Sequence, residues 1–323
     1  MQPQVSVIVP IYNVEPFFEK CLHSLFGQTL EDIEYLFVND CTPDGCMSLL
    51  ESILKRYPQR KEQVHVIHHE QNRGLGASRK DGMKAATGKY VIHCDSDDWV
   101  ELTMYERLYR KAIEEDADIV YCGFYVEYKN KQLIRIPEQG EDKVLMQKRK
   151  WDVLYSSHCN KLVRRSLFVN WYIYPYEGID MWEDLGVITR LRFLSRKTVI
   201  IYEPLYHYNR LNNNSLSITQ AKARSTFEEQ SKCARELESF FRSHDAYETY
   251  FLLIQNIKFE SKQALLRNGD YQEWLGIFPE THPYVWKFDS PSLSHRFKCF
   301  LAIHKIFLLH KIRRWINDKY KER

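Results

Sequence analysis

YVIHCDSDDWVEL, residues 90–102, sets a short apolar run against a cluster of acids: Asp95, Asp97, Asp98 and Glu101 come directly after Tyr90–Cys94. An apolar run ending in carboxylates predicts a buried strand whose last side chains emerge at the C-terminal edge of a sheet, where open α/β folds bind ligands. Asp95 and Asp97, two apart, project to one side if the strand continues. Carboxylates held together repel, and a hard divalent cation shared with phosphate oxygens relieves that repulsion. The stretch therefore points to a site for a metal and a diphosphate, although standing alone it also fits a solvated acidic turn.

Upstream, two further runs have the same texture. VSVIVPIYN at 5–13 and IEYLFVND at 33–40 are short and β-branched or aromatic, with helical patterns after them at 16–26 and 44–57. VHVIHH at 64–69 precedes a helix-like segment at 74–87, and the run at 90–94 follows Gly88. This β-α-β-α-β-α-β order predicts a mainly parallel sheet with helices on both faces, its strand ends gathered at one edge by right-handed crossovers. Downstream come an amphipathic helix at 103–116, a strand at 117–128 turning into a hairpin near Lys129–Gln132, and a helix or loop at 151–168. An aromatic-rich loop at 171–182, a helix from about 183 to 195 and a strand at 198–209 follow. Beyond about 220 the sequence is charge-rich and helix-forming, without strand runs. The expected division is therefore 1–220 as an α/β domain and 221–323 as a helical C-terminal region.

At 323 residues, 44% hydrophobic and 28% charged, the chain has the composition of a globular protein with a sizeable core. No apolar run approaches the ~18 residues that span a bilayer, and no basic segment with a cleavage site precedes residue 5. The eight cysteines are scattered without a C-x-x-C pair, which fits a reducing cytoplasm. Residues 291–323 hold nine Lys or Arg against two acids, while the whole chain carries only +3. Such asymmetry predicts a basic tail meeting an anionic surface, not a nucleic-acid-binding body.

The first strand ends in Pro10, Ile11, Tyr12 and Asn13, and the second in Asn39 and Asp40, beside the acids of the fourth. A ring to stack on a base and a carboxylate to accept its N–H are what a nucleotide pocket needs, yet alone Tyr12 also fits packing and Asp40 a turn or helix cap. Gly74 and Gly76 form a Gly-x-Gly too short for a dinucleotide fingerprint. His65, His68 and His69 lie on a predicted strand and are assigned no role.

VSVIVPIYNVE at 5–15, SLFGQTLEDIEYLFVNDCTPDG at 24–45, NRGLGASRKDGMKAATGKY at 72–90 and DSDDW at 95–99 together resemble the family 2 glycosyltransferases of the GT-A fold, over residues 5–128. The resemblance implies a nucleotide-sugar donor, usually a UDP-sugar, and makes 1–220 the catalytic domain, with 1–128 as its nucleotide-sugar-binding half and 129–220 as its acceptor half. Asp40 would read the base with Pro10 and Tyr12 beside it, Asp95 would engage the ribose, and Asp97 and Asp98 would hold Mn²⁺ or Mg²⁺. Asn39 stands where the commoner pattern has a second Asp. Arg79, near a helix start, would face the nucleotide, and Arg210, in YNRLNNNSLS at 208–217, would close on the diphosphate.

Transfer to a hydroxyl also needs a base for its proton. Glu183 and Asp184 in GIDMWEDLGVITRL match the family's Glu-Asp pair, which implies Asp184 as that base and a single inverting displacement. First-turn acids that favour a helix dipole are the plain alternative. Tyr172, Tyr174, Tyr176 and Trp182 fit either a sugar-stacking platform or a packed lid. SHRFKCFLAIHKIFLLHKIRRWIND at 294–318 fits a helix lying on an anionic bilayer, docked on the catalytic domain, or pairing with a second subunit in a homodimer. The expectation is a cytoplasmic enzyme, peripheral on the membrane or free, that adds a sugar to a glycan or lipid-linked acceptor. A nucleotidyltransferase and a catalytically silent sugar-nucleotide-binding module are the rivals.

Overall fold

The computed structural model describes residues 2–140, 142, 146, 153–212, 215, 224–288 and 292–304. The chain forms two compact units, Met1–Leu145 with Asp152–Gln220, and Met146–Trp151 with Ala221–Arg323.

Among the described residues the first unit has nine strands: β1 (Val5–Ile11), β2 (Ile33–Asn39), β3 (Val64–His68), β4 (Tyr90–His93), β5 (Trp99–Val100), β6 (Ile119–Tyr128), β7 (Lys131–Arg135), β8 (Lys161–Arg164) and β9 (Thr198–Asn209). Their order is β3-β2-β1-β4-β8-β6-β9-β5, with β7 beside β6. Its helices among the described residues include α1 (Glu15–Phe26), α2 (Cys46–Leu54), α3 (Leu75–Ala85), α4 (Met104–Glu114), α5 (Val153–Ser156), α6 (Arg165–Trp171) and α7 (Glu183–Leu194).

Strands β1 to β4 are parallel, as the alternation of strand and helix predicts. The expectation of a mainly parallel sheet holds only for that half and for the β6–β9 pair. Strand β8 runs antiparallel to both β4 and β6, β7 to β6, and β5 to β9. The sequence Lys161-Leu-Val-Arg164 lies where the pattern predicts a helix or loop, and four residues bearing two cations give no readable alternation. Its burial is made possible by Lys161, whose ammonium donates to the carbonyls of Leu154 (2.8 Å) and Ser157 (2.9 Å) and to Asn160 Oδ1 (2.8 Å).

The strong β1 and β2 sequences are buried on both faces. Val5, Val7, Val9 and Ile11 pack with Phe18, Leu22 and Leu25 of α1, Leu50 and Ile53 of α2, and Leu108 of α4. On the other face α3 lies close to the sheet: a Cβ at Gly82 would sit 2.5 Å from Ile8 Cγ2.

Parallel pairing also aligns the strand ends, and Glu34 of β2 fixes that alignment. Only 5% exposed, its carboxylate accepts hydrogen bonds from Thr87 N (2.6 Å), Thr87 Oγ1 (2.8 Å) and Gly88 N (3.0 Å), and from Ser6 Oγ. It thereby ties β1 and β2 to the turn entering β4.

The second unit is helical: α8 (Arg224–Ser243), α9 (Phe251–Ser261), α10 (Gln263–Asn268), α11 (Tyr271–Gly276), a 3₁₀ segment Pro279–Lys287, and α12 (Leu293–Ile303). Phe227, Phe259, Trp274, Val285, Phe288 and Cys299 form its core. The buried Lys262 ammonium donates to Ile277 O (2.6 Å) and Phe278 O (3.0 Å), and burial pushes its pKa down to about 7. Of the amphipathic segment expected at 294–318, residues 305–318 lie outside the described residues. No helix among the described residues is long and apolar enough to cross a membrane.

Replacing Glu34 by Ala takes the acceptor from Thr87 N and leaves Gly88 N with only Ser6 Oγ at 2.8 Å, and leaving a buried donor unpaired costs about 1–3 kcal/mol. Urea melts of Glu34→Ala are expected to show a loss of about 1–3 kcal/mol on that basis. A loss below about 0.5 kcal/mol, the range of ordinary surface changes, would remove Glu34 as the anchor.

Candidate active site

The C-terminal ends of β1 to β4 carry Tyr12 and Asn13, Asp40, His69 and Asp95 onto one edge of the sheet. Helix α3 starts at the same edge, shortly after β3.

Asp40 is 3% exposed. Its Oδ1 accepts from Arg73 N (2.8 Å) and lies 2.7 Å from His69 Nδ1, and its Oδ2 accepts from Gly74 N (2.9 Å). His69 is gripped on its other side by Asp81, 3.1 Å from Nε2. His69 is thus part of this site, although sequence reasoning assigns it nothing. The only hint is its position one residue past a strand end. Pro10 lies within buried β1, while Tyr12 is 47% exposed and free to offer its ring.

Arg79, one turn into α3, is 4% exposed and reaches two acids from distant segments. Its Nη2 donates to Asp95 Oδ1 at 2.5 Å, and its Nη1 donates to Glu183 Oε1. Glu183 opens α7 after Trp182, which takes a left-handed conformation (φ 75°). Its second oxygen lies 3.3 Å from His158 Nε2, and His158 packs on His93 with ring centroids 4.4 Å apart. Burial holds both imidazoles well below the ordinary histidine range. Asp184 follows Glu183 in the first turn. Burial pushes its carboxyl above the usual carboxylate range, against the opposing pull of the Arg79 guanidinium.

The acidic loop after β4 is held from β9. Asp97 Oδ2 accepts from Asn212 Nδ2 (2.8 Å), and Asp97 O accepts from Asn209 Nδ2 (2.9 Å). Burial and the neighbouring Asp95 push Asp97 up to about 6. Asp98, expected beside Asp97 at a metal, is 1% exposed with both oxygens engaged. Oδ2 accepts from the Tyr206 hydroxyl at 2.5 Å and Oδ1 from Asn209 N at 2.7 Å, so Asp98 fastens the loop to β9 and presents no open oxygen pair. Its carboxyl is raised well above the usual range by burial, then by Asp97 and Asp95. Tyr206, Asn209 and Asn212 have no sequence signal, since each acts through pairing more than a hundred residues away.

Arg210 follows the end of β9, its Nη1 3.1 Å from the Tyr208 hydroxyl. Most of the basic loop expected after it, 213–214 and 216–217 included, lies outside the described residues. Tyr176 packs under the Arg190 guanidinium at 4.0 Å, while Tyr172 is 82% exposed.

Residues 6–171 match the model of glycosyl transferase family 2. The chain belongs to that family. The family 2 chain is 36% identical over 225 residues to the uncharacterized glycosyltransferase EpsJ of Bacillus subtilis, covering 67% of this chain and 64% of EpsJ. It is 25% identical to the minor teichoic acid biosynthesis protein GgaB of the same organism, covering 94% of this chain and 35% of GgaB. It thus spans less than two thirds of the length of either relative. The crystal structure of S. aureus TarS 1-349 in complex with UDP-GlcNAc superposes with a TM-score of 0.68 at 18% identity, covering 86% of this chain and 80% of that one. The α/β sheet with its helical C-terminal region is the GT-A fold, as the sequence implies.

Because Arg79 neutralises buried Glu183, removing it leaves an uncompensated charge, a loss of about 3–5 kcal/mol in comparable buried pairs. Chemical denaturation of Arg79→Ala is expected to show that loss. Arg79→Lys keeps the charge but not the fork that spans two carboxylates, so an intermediate loss is expected. Equal stability of Arg79→Ala and the parent chain would contradict the pairing.

Proposed function

We propose that the chain transfers a sugar from a nucleoside diphosphate, a UDP-sugar in first place, to a hydroxyl acceptor with inversion, in assembly of a cell-surface polysaccharide or glycolipid. The observation that carries this reading is the Arg79 bridge: one buried guanidinium holds Asp95 of the acidic loop and Glu183, beside Asp184, at a single sheet edge. Family membership, the TarS complex with UDP-GlcNAc and the teichoic acid biosynthesis for which GgaB is named support it.

In this reading Asp40 accepts the base N–H. A carboxylate offers about four acceptor positions, and three are occupied here, which leaves one on Oδ2. Tyr12 lays its exposed ring against the base, with Pro10 shaping the floor. Asp95, oriented by Arg79, accepts from the ribose, and Arg210 pairs with the diphosphate.

A divalent cation fits the donor set, because Asp97 is a hard oxygen ligand whose carboxyl is raised by burial and then by the neighbouring Asp95. Mg²⁺ in sugar- and phosphate-transfer sites is typically held by one or two carboxylates together with substrate phosphate oxygens, and Asp97 is the carboxylate for that role here. Such an ion supplies Lewis-acid stabilisation of the charge developing on the leaving diphosphate. Asp184 takes the acceptor hydroxyl's proton as its oxygen bonds to the anomeric carbon and the bond from that carbon to the diphosphate oxygen breaks.

The eight cysteines are all free thiols, in keeping with a cytoplasmic location. Leu293, Phe297 and Trp286 are exposed by 76%, 53% and 52%, and with the excess of cations at 291–323 they support contact with an anionic bilayer. Such contact would bring the enzyme to a lipid-linked acceptor.

Three measurements test the reading. UDP with Mn²⁺ at a hundredfold excess over its dissociation constant stabilises the native state by about 2.7 kcal/mol, so the melting temperature should rise by several degrees. Neither UDP nor GDP raising it would sink the donor site. General-base catalysis contributes about 10²–10⁴ in rate, and Asp184→Asn should lose turnover by that factor while keeping the UDP shift. Asp184 works as the carboxylate and its pKa is raised, so kcat should fall on acidification from a point above the ordinary carboxylate range. A retained UDP shift with undiminished turnover in Asp184→Asn would remove Asp184 as base, and a parent chain that binds UDP but turns over no sugar nucleotide would favour the binding module.

A further inference from the structure

The Gly-x-Gly at 74 and 76 receives a carboxylate from this chain's own acceptor half. Gly76 N, in the first turn of α3, donates to Asp180 Oδ1 at 2.8 Å. A Cβ at Gly74, where φ is +90°, would sit 2.3 Å from Asp180 Oδ2, and one at Gly76 would sit 2.4 Å from the carbonyl oxygen of Ile179. Both glycines therefore leave room for the segment Ile179–Asp180 to lie against the helix start. The bond joins residues 104 apart in sequence, and Asp180 stands three residues before Glu183 and four before Asp184.

We infer that Asp180 is a positioning residue for the transfer reaction: it latches the loop that leads into Glu183 and Asp184, at the start of α7, onto the N-terminus of α3. A carboxylate is suited to that place, because the helix start offers unpaired N–H groups and a partial positive charge. The neighbouring N–H of Gly74 is already taken by Asp40. Two links on one helical turn thus connect the residue proposed to read the base with the loop proposed to hold the catalytic base. Arg79, one turn further along the same helix, adds a third link through Glu183. The left-handed Trp182 lies between the Asp180 anchor and the Glu183 anchor, which together fix the loop on both sides of that strained residue.

The inference rests on Asp184 being the base, so the experiment keeps the latch and the chemistry apart. Hydrogen exchange on the full chain reports the latch without any substrate: Asp180→Ala should speed exchange across 178–186 and at Gly76 by at least about tenfold, the signature of lowered local stability. Misplacing a catalytic group by about 1 Å costs roughly 10²-fold, so kcat of Asp180→Ala should fall about 10- to 100-fold, with donor KM and the UDP melting shift little changed. Asp180→Asn keeps an acceptor oxygen and should recover most of the rate. Gly76→Ala, whose Cβ would press on the Ile179 carbonyl oxygen at 2.4 Å while Asp180 Oδ1 lies at ordinary contact distance, 3.4 Å, should reproduce the Asp180→Ala defect, and the double variant should be no worse than either.

Unchanged exchange in Asp180→Ala overturns the latch. Faster exchange with full kcat overturns the positioning role, and loss of UDP binding moves Asp180 to the donor site and overturns it as well. If the parent chain transfers no sugar from any nucleotide, the functional reading fails and takes the positioning role with it, while the exchange result still decides whether the latch exists.

Discussion

The meeting of Asp95 and the start of α7 at the sheet edge depends on the Arg79 guanidinium being buried between two carboxylates. A buried cation is tolerated only where opposite charge and hydrogen bonds replace water, and here Asp95 and Glu183 provide both. The requirement is mutual, since Glu183 is 3% exposed and needs a cation as much as Arg79 needs acids. Two segments 88 residues apart in sequence, at 95 and 183, are thus held to one helix by electrostatic necessity. Arg at this position is also a matter of shape, because its planar fork reaches two partners in different directions where a lysine offers a point charge.

The acidic loop is organised on a different principle. Its carboxylates are not spread around an open cavity but divided between functions by burial. Asp98 is drawn into the interior and satisfied by Tyr206 and Asn209, whereas Asp97 keeps one oxygen engaged with Asn212. Strand β9 and the turn beyond it provide all three partners, and the antiparallel β5–β9 pairing sets their register. A strand far along the chain therefore determines how the short motif at 95–98 presents its oxygens. The same motif placed on the parallel half alone would have no such support.

This division explains what was legible in the sequence. The runs at 5–11, 33–39 and 90–93 are continuous β-branched and aromatic stretches because both faces of those strands are covered, and such runs announce themselves. The acids at their ends follow from topology, so Asp40 and Asp95 could be placed at one edge from the order of elements alone. Strand β8 could not be read, because its four residues carry two cations and gain strand character only between β4 and β6. The histidines at 68 and 69 illustrate the same limit. They differ by one residue, yet His69 is buried between Asp40 and Asp81 while His68 stays exposed, a distinction set by where β3 stops. Glycines 74 and 76 were visible as a motif, but the segment they make room for lies about a hundred residues downstream, and periodicity carries no information about such a partner.

Charge balance gives the last link. Asp95, Asp97, Glu183 and Asp184 all feel one guanidinium, and burial raises the carboxyls of Asp97, Asp98 and Asp184 in spite of the hydrogen bonds and cations around them. Arg79 is already committed to two acids, and the start of α3 is occupied by Asp40 and Asp180. The positive charge at this edge is thus largely matched by the chain's own acids, in contrast to folds where a glycine-rich turn cradles phosphate directly. In the reaction proposed above, counter-charge for the diphosphate would come from Arg210 and from a divalent cation at Asp97. An anionic donor entering without a cation would add to the negative charge of these carboxylates, so donor and cation affinities should be strongly linked in this chain.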